Sequence, residues 1–306
     1  MQKLRLAYVS PSGSLAVPWI AKEAGLFKKY GVDMDLIFIR GGSTLIQALV
    51  AGEADLAHLA ANPAMEANLA GADTVLLASS LNKPVGFYLM ALPGVKSIEE
   101  LRGSRLGISR FGSATDLLTR MVLNQFHLAP DRDVPLIQLG GIPEIAAGLK
   151  AKVVKAGFVS SPLNIPLLEM GYRVLIDFGR DVPFPFSTLI SRKTLLTRKD
   201  QALRGTVRAF AEAIKIYRTQ REFSLRVLDK YTRTGDARKL GQTYDTYAPF
   251  LEKIPYVDMK GVEDVLKEIG PKHPGAANVK APDFVDHRYV KALEDSGFFR
   301  ALYGER

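Results

Sequence analysis

The segment Ser10-Pro11-Ser12-Gly13-Ser14 has a second copy, Ser109-Arg110-Phe111-Gly112-Ser113, in which three of its residues recur 99 positions later. The same offset, without a gap, also pairs Phe27 with Phe126, Gly41 with Gly140, Gly42 with Gly141, Ile46 with Ile145, Ala48 with Ala147, Ala57 with Ala156 and Pro63 with Pro162. Most of these matches fall at predicted turns. A solenoid unit has roughly 20–50 residues, so this period is too long for one. We therefore predict two lobes of one architecture that face each other across a cleft.

Composition limits the class of protein. The chain has 306 residues, of which 47% are hydrophobic, and this predicts about two soluble domains. No apolar run reaches about 18 residues, so we predict no membrane span. The absence of cysteine excludes disulfides, thiolate nucleophiles and Cys-ligated metal sites.

The net charge is +9. Lys and Arg are scattered and are densest in 192–239, which has a helical pattern. This distribution favours a solvated helix face over a surface that attracts anions, and it does not predict nucleic-acid binding.

The first lobe is predicted to alternate strands and helices. The predicted strands are Leu4–Ser10, Met34–Arg40, Asp55–Ala60 and Thr74–Ser80. The predicted helices are Trp19–Tyr30, which ends at Gly31, Thr44–Ala51 with Ser43 as its N-cap, and a helix opened by Asn62-Pro63. This order predicts a mostly parallel sheet flanked by helices.

The second lobe repeats the pattern. Its predicted strands are Phe87–Leu92, Arg105–Ser109, Val134–Leu139, Lys155–Val159 and Tyr172–Phe178. A further strand, Ser187–Ser191, is followed by a helical tail that we expect to pack on the first lobe. We therefore predict lobe I as 1–88 plus 189–306 and lobe II as 89–188. The two crossings, near 84–92 and 183–191, predict a hinge; ordinary loops within one large domain are the alternative.

Candidate ligand contacts lie beyond the carboxyl ends of the predicted strands, where open parallel sheets bind their ligands. Several of these loops also open a helix, whose unpaired N–H groups favour an anion. For each hydroxyl the alternative role is to cap its own helix. The candidates are Ser12, Ser14, Gly42, Ser43, Ala61, Asn62, Pro63, Gly112, Ser113, Ala114, Thr115, Ser160 and Ser161.

Larger side chains near these loops have two interpretations each. Arg110 could bind a carboxylate or sulfonate through two contacts, or it could be a solvated surface residue. Trp19 and Phe111 could form walls of the pocket, or each could pack within its own lobe. Phe87 and Phe186 lie on the crossings, where they could contact a ligand or bury the hinge.

Enzyme signatures are missing from the sequence. The four histidines lack metal-type spacing, and no nucleophile elbow, phosphate loop or dinucleotide fingerprint is present. We therefore expect no catalytic residue, metal or cofactor. A catalytic pair assembled from residues distant in sequence stays open as an alternative.

Several segments carry a resemblance to a known family: Ser12–Trp19, Ala21–Phe27, Gly41–Ser43 with Gln47–Asp55, and Gly107–Ser113. Over roughly positions 3–220 the chain resembles the solute-binding proteins of ATP-binding-cassette importers of the nitrate/sulfonate/taurine and thiamine-pyrimidine-precursor (NMT1/THI5-like) type. Two features depart from the family. Lysines in Leu149–Lys155 replace a Gly-x-Asp-Ala pattern, and the missing cysteines exclude the yeast-type pyrimidine synthases of the superfamily.

The resemblance implies a type II periplasmic binding fold, in which two α/β lobes hold a ligand in the cleft and close around it. It implies a non-enzymatic, monomeric receptor, periplasmic or at the cell surface, that binds a small carboxylate, sulfonate or pyrimidine-like solute and docks on a membrane permease. A small-acid lyase or dehydratase-like enzyme on the same fold is the alternative, and a ligand-sensing regulator domain ranks last.

Overall fold

The computed structural model describes residues 1–179 and 182–304. Within these ranges the strands are β1 Gln2–Tyr8, β2 Val32–Phe38, β3 Leu56–Leu59, β4 Thr74–Leu81, β5 Phe87–Ala91, β6 Leu106–Ile108, β7 Leu136–Gln138, β8 Ala156–Ser160, β9 Arg173–Asp177 and β10 Ser187–Arg192. The helices of the two sheet-bearing regions are α1 Val17–Glu23, α2 Leu26–Lys29, α3 Gly42–Val50, α4 Asn62–Leu69, α5 Ala114–Gln125, α6 Ile142–Lys150 and α7 Asn164–Glu169. The C-terminal helices are α8 Lys193–Arg198, α9 Asp200–Thr219, α10 Arg221–Thr232, α11 Ala237–Tyr247, α12 Met259–Ile269, α13 Arg288–Asp295 and α14 Phe298–Tyr303.

The strands form two five-stranded sheets, with orders β2-β1-β3-β10-β4 and β7-β6-β8-β5-β9. One strand in each sheet is antiparallel to both of its neighbours: β10 in the first and β5 in the second. The other strands of each sheet run parallel to one another. The predicted two-lobed α/β fold with mostly parallel sheets is therefore confirmed.

The internal repeat extends to the sheet topology. A shift of 99 positions superposes β1 to β5, in order, on β6 to β10. When each strand of the first sheet is replaced by its equivalent in the repeat, the strand order of the first sheet becomes that of the second. In this comparison β10 of the first sheet and β5 of the second occupy equivalent positions. Each antiparallel strand is the point at which the chain crosses between sheets. The chain enters the second sheet with β5, after β1 to β4, and returns to the first sheet with β10, after β5 to β9.

The C-terminal helices pack largely on the first sheet. The long helix α9 contributes Phe210 and Ile214 to a core that also contains Leu4 and Val32. A Cβ on Gly205 would lie 2.3 Å from the carbonyl oxygen of Tyr30, so only glycine permits this approach of α9 to the turn before β2. Among the described residues, no helix is long and apolar enough to cross a membrane.

Two local predictions were wrong. The predicted helix Trp19–Tyr30 is two helices, α1 and α2, because Gly25 adopts a left-handed conformation (φ 69°) between them. Ser43 lies inside α3 and does not cap it. The N-cap is Gly41, whose φ of 83° brings the chain out of β2 into the helix.

Candidate functional site

A cavity lies between the two sheets, just beyond the carboxyl ends of their parallel strands. Its empty volume, including the open solvent at its mouth, is about 550 Å³. This volume is within the range of pockets that bind small molecules. It is lined by Val9, Ser10, Ser12, Ser14, Leu15, Gly41, Gly42, Leu59, Ala60, Pro63, Phe87, Ser109, Ser113, Ala114, Thr115, Gly141, Ile142, Ser160 and Phe186.

Three hydroxyls of the second lobe form a closed triangle on one wall. Ser109 Oγ lies 2.9 Å from both Ser113 Oγ and Thr115 Oγ1, and the last two are 2.7 Å apart. The N–H of Ser109 donates to Thr115 Oγ1 at 2.8 Å, and Ser113 caps α5 by accepting from the N–H of Asp116. These bonds hold all three side chains in place at the edge of the cavity.

The serine hydroxyls at or just after the strand ends differ in their hydrogen bonding. Ser12 Oγ lies 2.9 Å from Ser14 Oγ in the first lobe. Ser10 and Ser160 are 0% and 1% exposed, and neither hydroxyl has a hydrogen-bond partner in the described part of the chain. Buried hydroxyls are normally hydrogen-bonded, so these two are free to bind a group placed in the cavity.

The first turns of three helices also lie at the cavity. They are those of α3 at Gly42, α5 at Ala114 and α6 at Ile142, and each helix has nine or more residues. The N–H groups of a first turn have no partner within their helix and carry the positive end of its dipole. The cavity thus has hydrogen-bond donors and a positive potential, although its lining residues include no ionisable side chain.

The lobes meet around the mouth of the cavity. Asn62 Nδ2 of the first lobe donates to the carbonyl oxygen of Gly112 in the second at 3.2 Å. Arg40 and Glu144 form an ion pair between the lobes, with Nε and Oε1 3.1 Å apart. The structure is therefore that of a closed cleft.

The structure brings ten of the predicted site residues to the cavity lining: Ser12, Ser14, Gly42, Pro63, Phe87, Ser113, Ala114, Thr115, Ser160 and Phe186. Four others adjoin it without lining it, namely Ser43, Ala61, Gly112 and Ser161. Asn62 lies at the mouth, where it bridges the lobes.

Three large side chains lie elsewhere. Trp19 is fully buried in the core of the first lobe, stacked on Tyr231 with ring centroids 4.9 Å apart. Phe111 is 46% exposed and lies beneath the guanidinium of Arg120. Arg110 is exposed and lies over Gly41, where a Cβ would be 2.6 Å from its Cγ. None of these three residues is among the residues that line the cavity.

Two hydroxyls of the cavity were not among the predicted site residues, although the sequence contained a signal for them. Ser10 and Ser109 are a matched pair in the internal repeat; Ser10 lies two residues after the end of β1, and Ser109 directly follows β6. The lining residues Val9, Leu15 and Leu59 could not be found in this way, because apolar residues at strand ends and in the loops after them are also typical of an ordinary core.

Comparison with known proteins agrees with this geometry. The model of the NMT1-like family matches residues 1–226. A protein of Brucella abortus (strain 2308), whose name describes it only as a binding protein, is 26% identical over 243 residues, which is 76% of this chain and 73% of the relative.

Two solved structures share the fold. The periplasmic nitrate-binding protein NrtA from Synechocystis PCC 6803 superposes with a TM-score of 0.80 at 14% identity, covering 97% of this chain and 89% of that one. The periplasmic aliphatic sulphonate binding protein SsuA from Escherichia coli superposes with a TM-score of 0.73 at 20% identity, covering 94% of this chain and 92% of that one. The chain therefore has the fold of these periplasmic binding proteins.

Proposed function

Because the chain belongs to the NMT1-like family, we propose that it is the solute-binding component of an ATP-binding-cassette importer. It binds a small solute between its lobes and presents the closed form to a membrane permease. The observation that carries this proposal is the pair of buried, unpartnered hydroxyls of Ser10 and Ser160, one from each lobe, on the lining of one cavity. A solute that bonded both hydroxyls would bind the closed state more tightly than the open state, and it would therefore shift the population towards the closed state.

The lining supports a particular class of solute. Hydroxyls and helix N-termini can bind a compact polar group or a singly charged oxyanion, such as a carboxylate or sulfonate, without a Lys or Arg side chain. The apolar walls, which include Leu15, Phe87 and Phe186, can accommodate a short apolar chain attached to that group of the solute. A buried ammonium group would have no carboxylate partner among the lining residues, and an unpaired buried charge is strongly unfavourable. A pyrimidine-like solute, with polar atoms on one edge, is the other class that fits.

The alternative, a lyase or dehydratase-like enzyme, needs a titratable group at the reacting atoms. The cavity lining supplies hydroxyls but no carboxylate, imidazole, amine or phenol. His58, on β3, is fully buried outside the lining, and burial lowers its pKa to about 3, which keeps it neutral. These facts support a receptor over an enzyme.

The wider assignment follows from the same function. A receptor that serves an importer acts outside the cytoplasmic membrane, and several similar proteins are named as periplasmic. We propose a periplasmic or cell-surface monomer. Its lobe I would comprise 1–88 plus 189–306 and its lobe II 89–188, with the crossings as the hinge.

A solute panel tests the function. Nitrate, propionate, ethanesulfonate, 2-aminoethanesulfonate and a pyrimidine would be screened by thermal shift and then by calorimetry. A solute at 100 times its dissociation constant should add about 2.7 kcal/mol to the free energy of unfolding. We expect ethanesulfonate or propionate to bind at least about tenfold more tightly than the amino-substituted sulfonate. Turnover of an added acid, or a preference for the ammonium-bearing solute, would contradict the proposal.

Matched variants locate the site. Ser10→Ala and Ser160→Ala should each weaken binding by about tenfold, because a buried hydrogen bond to the solute is lost. Their free energy of unfolding should not fall, since neither hydroxyl has a protein partner in the described chain. Thr119→Val is the control, because Thr119 is another fully buried, unpartnered hydroxyl that does not line the cavity. Equal effects of all three variants on binding would place the solute elsewhere.

A further inference from the structure

Tyr247 belongs to neither half of the internal repeat. It is the last residue of α11, in the C-terminal helical segment, and it lies beyond residues 1–226 that match the family model. Its side chain is nevertheless completely buried at the junction of the two lobes. The helical tail, otherwise packed on the first sheet, therefore reaches the inner end of the cleft at this residue.

The Tyr247 hydroxyl contacts three separate segments. It lies 3.4 Å from Ser12 Oγ in the loop after β1, and it accepts from the N–H of Ser161, after β8, at 3.2 Å. It donates to the carbonyl oxygen of Gly86, directly before β5, at 3.2 Å. One hydroxyl thus joins a loop of the first lobe, a loop of the second lobe and a crossing between them.

Each of these partners is at the cavity or one residue away from it. Ser12 lines the cavity, while Ser161 follows Ser160 and Gly86 precedes Phe87, both of which also line it. The two loops are also bonded directly, because Gly13 N–H donates to the carbonyl oxygen of Ser161 at 3.2 Å. A displacement of Tyr247 would therefore move residues of the cavity wall in both lobes.

The packing of α11 leaves little room for such a displacement. A Cβ on Gly13 would lie 2.6 Å from ring atom Cδ2 of Tyr247, and one on Gly86 would lie 2.8 Å from ring atom Cε1. Thr243, one turn earlier, accepts a hydrogen bond from Ser161 Oγ at 3.1 Å, since its own hydroxyl donates to the carbonyl of Lys239. Burial raises the pKa of Tyr247 well above its ordinary value, so the hydroxyl keeps the proton that it donates.

We propose that Tyr247 is a positioning residue, which fixes the separation of the Ser12 and Ser160–Ser161 loops at the pivot of the two lobes. This inference rests on the proposed receptor function, and it assigns part of the site to the C-terminal segment. Without the hydroxyl, the loops keep their own hydrogen bonds but lose their common partner. The lobes then sample a wider range of separations, and a solute has to order them when it binds.

The separation of the lobes can be measured directly because the chain has no cysteine. Ala51 and Ala151, both exposed at the carboxyl ends of α3 and α6, would be replaced by spin-labelled cysteines, and their distance distribution would be recorded without added solute. Tyr247→Phe keeps the ring and removes the hydroxyl. The control is Tyr244→Phe on the same helix, whose hydroxyl donates to the carbonyl oxygen of Arg218.

We expect Tyr247→Phe to broaden the distance distribution, and to weaken ethanesulfonate binding by about tenfold, while Tyr244→Phe leaves both as in the wild type. An unchanged distribution in a folded Tyr247→Phe protein would overturn the proposal. If that variant does not fold, Thr243→Val, which removes the neighbouring bond to Ser161, should broaden the distribution to a smaller extent, and an unchanged width would overturn the proposal equally. Failure of the wild type to bind any panel solute would instead refute the receptor function, because the distances are measured without solute.

Discussion

Asn62 of the first lobe donates its side-chain N–H to the carbonyl oxygen of Gly112 in the second lobe, across the mouth of the cavity. Gly112 in turn donates its N–H to Asp116 Oδ2 at 2.9 Å, so the contact is anchored to α5. We expect Asn62→Ala to weaken solute binding by about three- to tenfold, because a partly buried hydrogen bond that joins the two lobes is lost. Calorimetry on the variant would check this. Asn68→Ala removes an amide bonded to Thr74 within the first lobe and should lower stability without changing affinity.

Glu66, one turn along α4 from Asn62, makes stability depend on pH. A Cβ on Gly112 would lie 2.8 Å from Glu66 Oε2, so the carboxylate lies against the second lobe. Desolvation and the charge of Asp116 raise the pKa of Glu66 to about 7, against smaller opposing effects of Lys272, the Asn62 side chain and Arg120. A raised pKa means that the folded state binds a proton that the unfolded state releases.

The free energy of unfolding should therefore decrease as pH rises from about 4.5 to about 7 and show no further change from this group above that range. Glu66→Gln should remove this dependence and gain roughly 1–2 kcal/mol at pH 8, after allowance for partial exposure to solvent. Urea denaturation at pH 5 and pH 8 measures the difference. The exposed Glu263→Gln on α12 is the control, and the same pH profile in wild type and Glu66→Gln would show that Glu66 is not the group responsible.

The hydroxyl triangle of the second lobe should be required for solute binding. We expect the double variant Ser113→Ala, Thr115→Ala to remain folded and to bind the panel solute at least about tenfold more weakly. Ser113 also caps α5, and Thr115 Oγ1 accepts from the buried N–H of Ser109, so the free energy of unfolding should fall by about 2–3 kcal/mol. Unfolding curves and calorimetry separate the two effects. Retained affinity in the double variant would mean that the site has been misplaced.

Trp19 should affect stability and not recognition. It is the only tryptophan, and it packs between Tyr8 and Tyr231 with none of its side chain exposed. Trp19→Ala should cost about 3–5 kcal/mol of unfolding free energy, while Trp19→Phe should leave the solute affinity unchanged. Weaker solute binding by a folded Trp19→Phe protein would contradict this prediction, because it would indicate that the ring contacts the solute.

The repeat made most of the fold predictable. Its matches fall where the backbone needs a particular residue, as at Gly41 and Gly140, which both have positive φ at the turn before a helix. Because each lobe satisfies the same turn requirements, both sheets could be inferred from one comparison. The break at Gly25 was missed, since the apolar spacing of Ile20, Ala24 and Phe27 continues through it and hides the left-handed residue.

The site was less predictable where it depends on how the two lobes and the C-terminal tail pack together. Arg110 is followed by the predicted glycine turn, yet its side chain crosses to Gly41 at the rim, an outcome decided by how the lobes close. Tyr247 lies on an amphipathic helix, where a buried tyrosine is typical of any core. Only the three-dimensional path of the tail brings it to Ser12 and Ser161.

Hydrogen–deuterium exchange on adding the panel solute that binds most tightly tests the central claim most directly. If the repeated lobes bind the solute between equivalent loops, hydrogen exchange at the backbone amides of segments 10–15 and 109–115 should become slower in both segments. The exchange rates in α13 and α14 should change little. Slowed exchange in only one of the two segments, or at a surface away from both, would contradict an interlobe site.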